Sequence, residues 1–305
     1  MLHIIYRSYG GENAKGRPAF YSKSLALLSL LRAAAELEGA VEILFLNDGP
    51  IPSERLRLME RSGEVLARSQ MGMRGSLRTA LALPTERGWA ENDVAWLAED
   101  DYLYQATAFT GLSAAAAAFP DAAYFALYAL IGSRLPNGAP ADAKHVPAGC
   151  TYMPTGWHDS EPRLVGGHPW RRALATTSTF GARVGPLEED RLMMYATMYS
   201  GSPWDYTTCL LYQGFQPYTL GSAISVAREA GGLKAWARSA AIAAVRVGLH
   251  GYQTVRTRSG HPGRLFIAPD PALATHLESA YMALGTDWNA VAEEAQRWGV
   301  ERQLI

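Results

Sequence analysis

Three consecutive acids, Glu99-Asp100-Asp101, close an otherwise nearly apolar run, Asp93-Val94-Ala95-Trp96-Leu97-Ala98. Such a run predicts a strand buried on both faces, as in a sheet covered by helices on each side. In open α/β sheets ligands bind outside the carboxyl ends of the strands, so acids placed there face a binding crevice. Carboxylates at such a place suit a hard divalent cation, Mn²⁺ or Mg²⁺, which takes oxygen ligands and shares its shell with phosphate oxygens. The ion would neutralise charge on a departing diphosphate. Neighbouring side chains on a strand face opposite ways, so two of the acids should point into the crevice while one braces the backbone. Asp101 is the expected direct ligand and Glu99 the second. Asp100 is expected to face a ribose or to reach the ion through water.

Acids at that place need a sheet beneath them, and the first third of the chain has the pattern for one. Short apolar runs alternate with helical stretches, which generates a parallel sheet with crossover helices. Residues 2–8 (LHIIYRS) read as a first strand, the Gly- and charge-rich stretch 10–18 as a loop, and 24–37 as a helix. Residues 41–46 (VEILFL) give a second strand closed by Asn47-Asp48-Gly49-Pro50, and Pro52-Ser53 opens a short charged helix. A third strand fits 64–67; a Gly-rich turn, Gly72-Met73-Arg74-Gly75, and a helix over 76–83 then precede the acid-bearing strand. Beyond Tyr102-Leu103-Tyr104 the pattern predicts an alanine-rich helix at 112–118, a strand at 121–131, a long loop at 132–170 and a strand-like stretch at 173–184. Helices follow at 187–199, from Trp204-Asp205 onward, over 232–258 and near 288–299.

A chain of 305 residues can bury one large α/β core or two small ones. Its net charge of −1 and 48% hydrophobic content fit a globular protein, exclude a disordered one, and offer no basic excess for nucleic acid. Two cysteines, Cys150 and Cys209, are too few and too far apart for a disulfide scaffold or a zinc ribbon, which points to a reducing, cytoplasmic setting. The opening MLHIIYRSY alternates like a strand and lacks the basic and apolar regions of a secretory signal. No uncharged apolar run approaches the roughly 20 residues that span a bilayer, so the chain is expected to be soluble or at most peripheral. The stretch 232–258 carries Lys234, Arg238, Arg246, Arg256 and Arg258 among alanines and aliphatics. It reads as an amphipathic helix packed on the domain with a basic solvent face, peripheral contact with anionic lipid being the alternative.

Arg7-Ser8-Tyr9 ends the first strand and Asn47-Asp48-Gly49 the second; Gly72-Met73-Arg74-Gly75-Ser76-Leu77-Arg78 opens a helix, and Ala98-Glu99-Asp100-Asp101 ends the fourth strand. In that order these features of residues 1–104 resemble the nucleotide-binding half of GT-A glycosyltransferases, especially the large inverting family 2. The resemblance implies that Arg7 and Tyr9 contact the nucleotide, that Asp48 reads its base, that Arg74 and Arg78 lie beside it, and that the acids hold the metal. Glu-Asp-Asp departs from the family's usual Asp-any-Asp, and the first loop lacks its Pro-Thr-Tyr-Asn. Both departures place the chain in a distant branch.

An inverting transferase needs a carboxylate to deprotonate the acceptor hydroxyl as it attacks. In the resembling family this base sits at a helix start across the cleft, and Asp205 in Ser202-Pro203-Trp204-Asp205-Tyr206 occupies such a start, with Trp204 offering an aromatic face to a sugar. Asp beside Pro is also a good helix cap. Asp190 and Glu189 are rival bases. The stretch from Pro271 to Glu278 resembles the late loop in which many GT-A enzymes place a histidine on the metal or diphosphate, which makes His276 a candidate ligand beside the plainer reading of a structural histidine. His145, His158 and His168 are too widely spaced for a short zinc motif. With Trp157, Asp159 and Trp170 they read as an acceptor-binding surface.

The expected protein is α/β, with a GT-A (Rossmann-like), mostly parallel central sheet flanked by helices. A nucleotide-sugar half (1–104) and an acceptor and catalytic-base half (105–305) would form a single compact domain. The reaction implied is transfer of a hexose from a nucleoside-diphosphate sugar, UDP-sugar favoured, to a hydroxyl of a saccharide, a natural product or a lipid-linked acceptor, with inversion and with Mn²⁺ or Mg²⁺. Two alternatives stand beside it: a sugar-phosphate nucleotidyltransferase, kept open by the loop Gly10-Gly11-Glu12-Asn13-Ala14-Lys15-Gly16-Arg17, and a non-catalytic carbohydrate-binding protein on a decayed transferase fold.

Overall fold

The computed structural model describes residues 1–39, 41–68, 70–131, 136–137, 156–226, 233–261 and 263–304. In chain order the strands are β1 (Leu2–Tyr9), β2 (Val41–Asp48), β3 (Glu64–Arg68), β4 (Val94–Glu99), β5 (Tyr102–Tyr104), β6 (Ala122–Phe125), β7 (Ala129–Leu130), β8 (Arg163–Val165), β9 (His168–Arg172), β10 (Ala175–Thr176), β11 (Phe180–Arg183), β12 (Leu265–Pro269) and β13 (Ala274–His276). The helices are α1 (Lys23–Ala35), α2 (Ser53–Ser62), α3 (Gly72–Glu86), α4 (Ala108–Ala118), α5 (Val184–Thr197), α6 (Trp204–Tyr212), α7 (Leu220–Ser225), α8 (Leu233–Arg258) and α9 (Trp288–Glu301).

One sheet of nine strands runs in the order β3-β2-β1-β4-β11-β6-β12-β9-β8. Its first four strands are parallel throughout, and β11 and β9 run against the rest. This is a mixed, mostly parallel α/β sheet flanked by helices, with the parallel order β3-β2-β1-β4 of a Rossmann-like half. Period-two alternation sorts side chains to its two faces. Ile4, Tyr6, Phe45 and Trp96 join one core with α1, α4 and α9, while Ile5, Leu44 and Leu97 join another with α3, α5 and α6. From β1 the chain builds β2 and β3 on one side and then crosses through α3 to β4 on the other. The carboxyl ends of β1 and β4 therefore flank a topological switch point, where an α/β sheet opens a crevice.

Several boundaries differ from the expected ones for identifiable reasons. The turn expected over 72–75 shrinks to its first residue: Gly72 takes φ 69°, which glycine adopts without strain, and α3 begins there. The strand expected over 121–131 is broken into β6 and β7, because Ala126 N–H donates to Ile267 O and Leu127 O accepts from Leu273 and Ala274. The loop expected over 132–170 contains a hairpin, β8–β9, whose two-residue turn is Gly166-Gly167 with φ 59° and 80°. Residues 173–184 split into β10, paired to β7, and β11 in the main sheet. Among the described residues no helix is long and apolar enough to cross a membrane.

Candidate active site

The switch point is charged on both walls. In register, Arg7 lies opposite Glu99 on the neighbouring strand and Tyr9 opposite Asp48. Arg7, Asp48 and the three acids line a cleft of 460 Å³. Each acid has its own cation. Glu99 Oε1 is 3.5 Å from Arg7 Nη1, and Arg7 Nε donates to Ser76 Oγ. Asp100 Oδ2 accepts from Ser8 Oγ (3.2 Å) and from the backbone N–H of Tyr9 (2.8 Å), and lies 3.0 Å from Lys23 Nζ. Asp100 is thus the brace: it ties the end of β1 to the start of α1. Lys23 is buried at a helix start, where a cation is disfavoured by the dipole, and three oxygens offset that cost: Asp100 Oδ2 and the carbonyls of Tyr9 and Gly11.

Asp101 reaches a different set of partners. Its Oδ2 lies 3.2 Å from Arg17 Nη1, 3.6 Å from Lys15 Nζ and 3.1 Å from His276 Nε2. His276 comes from far along the chain through the small sheet β5–β13, where it pairs with Tyr102. Leu277 N–H donates to Asp101 O (2.8 Å), and Arg17 Nη1 also donates to Leu277 O (2.7 Å). Burial alone would raise the Asp101 carboxyl, but the His276 hydrogen bond and the charges of His276, Lys15 and Arg17 outweigh it and hold the group well below the usual carboxylate range. Glu99 shifts the other way. Burial raises it, Arg7 opposes and Asp101 reinforces, although its side chain keeps some exposure. Neighbouring groups whose environments push their pKa values apart are a signature of functional sites.

A second pocket, of 330 Å³, adjoins the first and shares His276 with it. Its lining is mostly apolar and includes Tyr128, Leu130 and Tyr206, and its acids are Asp205 and Glu278. Asp205 sits in the first turn of α6, half-buried, with its Oδ1 accepting from the N–H of Tyr206. Among the described residues it has no ion-pair partner. Burial raises its carboxyl above the ordinary value, with the Tyr206 hydrogen bond opposing.

Other sequence candidates lie elsewhere. Asp190 is fully buried in α5, paired with Arg256 Nη1 at 2.7 Å and Arg264 Nε at 3.3 Å, and it accepts from Tyr124 OH at 2.8 Å. Glu189 pairs with the same Arg264. The rival base thus faces no cleft, because it closes a buried ion-pair network between α5, α8 and β12. Arg74 and Arg78 do not line the cleft either. Their guanidinium groups lie over the rings of Tyr199 and Tyr195, so α3 turns them toward α5 and its end. Trp204 is partly buried: its Nε1 donates to Met194 O, its ring packs on Phe180, and with Asp205 it lines a small pocket. Trp157 and Trp170 are core residues, His158 is exposed, and His145 lies outside the described residues. The sequence assigns no role to Lys23 or Glu278, and it brings in Lys15 and Arg17 only through the loop that keeps a nucleotidyltransferase open. The one available signal was basic residues clustered in a Gly-rich loop after the first strand.

No protein-family model matches the chain, and no curated protein matches it in sequence. Solved structures do. A mycobacterial protein is 11% identical over 99% of this chain and 74% of its own, with a TM-score of 0.38. S. aureus TarS (residues 1–349) is 11% identical over 85% of this chain and 73% of its own, with a TM-score of 0.37.

Among the described residues no three His, Cys, Asp or Glu side chains converge into a metal cage. A magnesium-like ion asks for less, since it is usually held by one or two carboxylates plus substrate phosphates, with water completing the shell. Asp101 Oδ2 and His276 Nε2, 3.1 Å apart, are spaced as two neighbouring ligands of one such ion would be, about 3 Å. Lys15 Nζ already stands there as a cation, 3.3 Å from His276 Nε2 and 3.4 Å from Glu278 Oε2. The donor set therefore fits a cation.

Proposed function

We propose that the protein is a glycosyltransferase that moves a hexose from a nucleoside-diphosphate sugar, UDP-sugar favoured, to a hydroxyl acceptor with inversion. The observation that carries this reading is the pair of adjoining pockets that share His276: one lined by acids with Arg7, Lys15 and Lys23, the other by aromatic side chains with Asp205, a carboxylate that no cation among the described residues neutralises, and Glu278. A diphosphate suits the first and an acceptor hydroxyl the second. Residues 1–104 would bind the nucleotide sugar, and residues 105–305 the acceptor. Mn²⁺ or Mg²⁺ at Asp101 and His276, with Glu99 nearby, would neutralise charge on the departing diphosphate.

In the step proposed, Asp205 takes the proton of the acceptor hydroxyl. The acceptor oxygen bonds to the anomeric carbon as the bond from that carbon to the diphosphate oxygen breaks, and the electron pair leaves with the diphosphate. Burial fits Asp205 to this task by moving its pKa toward the working pH, where a general base is most effective. Lys15 and Arg17, on the Gly-rich loop, would meet the diphosphate oxygens.

That loop also favours a second reading, a sugar-phosphate nucleotidyltransferase gripping a triphosphate. A thermal-shift panel of nucleoside diphosphates and their sugars, with and without Mn²⁺, tests the donor. Binding at a hundred times Kd stabilises by about 2.7 kcal/mol, so a metal-dependent rise with one diphosphate is the expected result. Turnover of UTP with a sugar 1-phosphate would favour the second reading. Sugar binding without metal or nucleotide dependence would favour a non-catalytic protein.

A further inference from the structure

Between Tyr206 and Pro269 the chain carries seven Lys or Arg and a single acid, Glu229, although its net charge is −1 overall. Part of that excess turns inward: Arg246 Nε donates to Ser200 O, while Arg256 and Arg264 pair with Asp190. Lys234, Arg238 and Arg258 remain outward on α8. This helix of 26 residues is about 39 Å long and contains no Asp or Glu. Between its basic ends the outward face reads Ala237, Ala241, Ala244, Gly248, Gly251 and Val255, at helical spacings of three and four. A Cβ added at Gly248 or Gly251 would meet nothing within 4 Å. Val255 is 65% exposed and Trp236 54%, and α7, packed along α8, leaves Leu220 and Ile224 exposed.

We propose that this α7–α8 face docks on an anionic lipid surface. Charge decides the occupant. A second copy paired antiparallel through α8 would set Lys234 and Arg238 against Arg258, and a parallel pair would set like against like, with no acid on the helix to offset either. Lys234 and Arg258 flank the outward stripe on its two sides, with Arg238 further round the helix, so their long stems can bring the cations to a negatively charged bilayer beneath the stripe. Trp236 and Tyr252 are amphipathic rings suited to the headgroup level. The face is coupled to the site, because Arg246 Nη2 donates to Ser202 Oγ (3.0 Å) just before the helix that carries Asp205. Docking would hold the Asp205 pocket at a fixed height over the membrane. That use, presenting a lipid-linked acceptor, rests on the transferase reading, whereas the docking itself does not.

The experiment is co-sedimentation of the full chain with vesicles of phosphatidylcholine alone and of equimolar phosphatidylcholine and phosphatidylglycerol. Binding to the mixed vesicles alone is expected, weakening as salt rises. K234Q/R238Q/R258Q should lower partitioning about 100-fold, and V255E should weaken it while leaving the melting temperature unchanged. Equal binding to both vesicles, no binding to either, or a dimer in light scattering that V255E dissociates would each overturn the proposal. A nucleotide-dependent thermal shift that survives in the triple variant shows that the catalytic reading stands apart from this outcome.

Discussion

Exchanging each of two acids, one fully buried and one half-buried, for its isosteric amide should produce opposite results. Asp190 has no exposed side-chain surface and is shared by Arg256 and Arg264. Asp190→Asn keeps the shape but leaves two guanidinium groups facing a neutral amide, with Glu189 still holding only Arg264. Breaking a buried pair by removing one partner costs about 3–5 kcal/mol. At about 2 °C per kcal/mol, the low end of the scale that suits a chain of this size, the melting temperature should fall by roughly 6–10 °C. Asp205 differs because among the described residues no cation balances it, and burial raises its folded-state pKa. Above that pKa the ionised group therefore costs stability in the native state, so Asp205→Asn should melt at or slightly above the parent temperature at neutral pH. Its transfer rate should fall by about 10² to 10⁴, the range of a general base. Scanning calorimetry and single-turnover sugar transfer on the same preparations read both quantities. An Asp190→Asn protein that melts like the parent yet transfers no sugar would refute the assignment, as would an Asp205→Asn protein that unfolds at lower temperature.

The acid limb of the kcat/KM profile should lie above the ordinary carboxylate range and vanish in Asp205→Asn; a limb that persists in the variant assigns the base elsewhere. Asp101 is held low, so its stabilising contribution is complete above the unfolded-state pKa, about 3.9, and is lost as pH falls through the folded one. Denaturation midpoints of Asp101→Asn and parent should accordingly show their full difference at neutrality, begin to approach each other below about pH 4 and meet only below the folded-state value, and a gap independent of pH would contradict the ion-pair account. Lys15 and a divalent ion compete for Asp101 and His276, so Lys15→Met should bind Mn²⁺ about tenfold more tightly by calorimetry, worth about 1.4 kcal/mol. Unchanged or weaker Mn²⁺ binding in that variant would show that the ammonium does not occupy the cation position.

How much of this was legible from the sequence depended on how local the cause was. The apolar run before Glu99 fixed β4 as a doubly buried strand, because burial on both faces leaves a pattern in consecutive residues. The hairpin β8–β9 was legible in principle, since Gly166-Gly167 between RLV and HPW is a two-residue turn signal, but the abundance of Gly, Pro and His around it read as loop. Asp190 and Asp205 looked alike as acids near helix starts. Only the packing of α5 against α8 and β12, which brings Arg256 and Arg264 onto the Asp190 carboxylate and, among the described residues, no cation onto Asp205, separates them. Arg74 and Arg78 failed for a related reason: position on a helix is legible, but the side of the helix that faces the cleft is set by its crossing over the sheet.

The two pockets meet at the small β5–β13 ladder. Three residue pairs suffice to bring His276 beside Tyr102 and its imidazole onto Asp101, more than 170 residues away in sequence. The same histidine also lines the pocket that holds Asp205. A lone histidine in a sequence carries little weight, because most are merely hydrogen-bonded within a structure. Here the residue contacts the acid of one pocket and forms the wall of the next, so substituting it should disturb cation binding and acceptor placement together. A variant that lost one of these functions and kept the other intact would show that the two pockets work independently, and the proposed transfer between them would have no shared wall to work across.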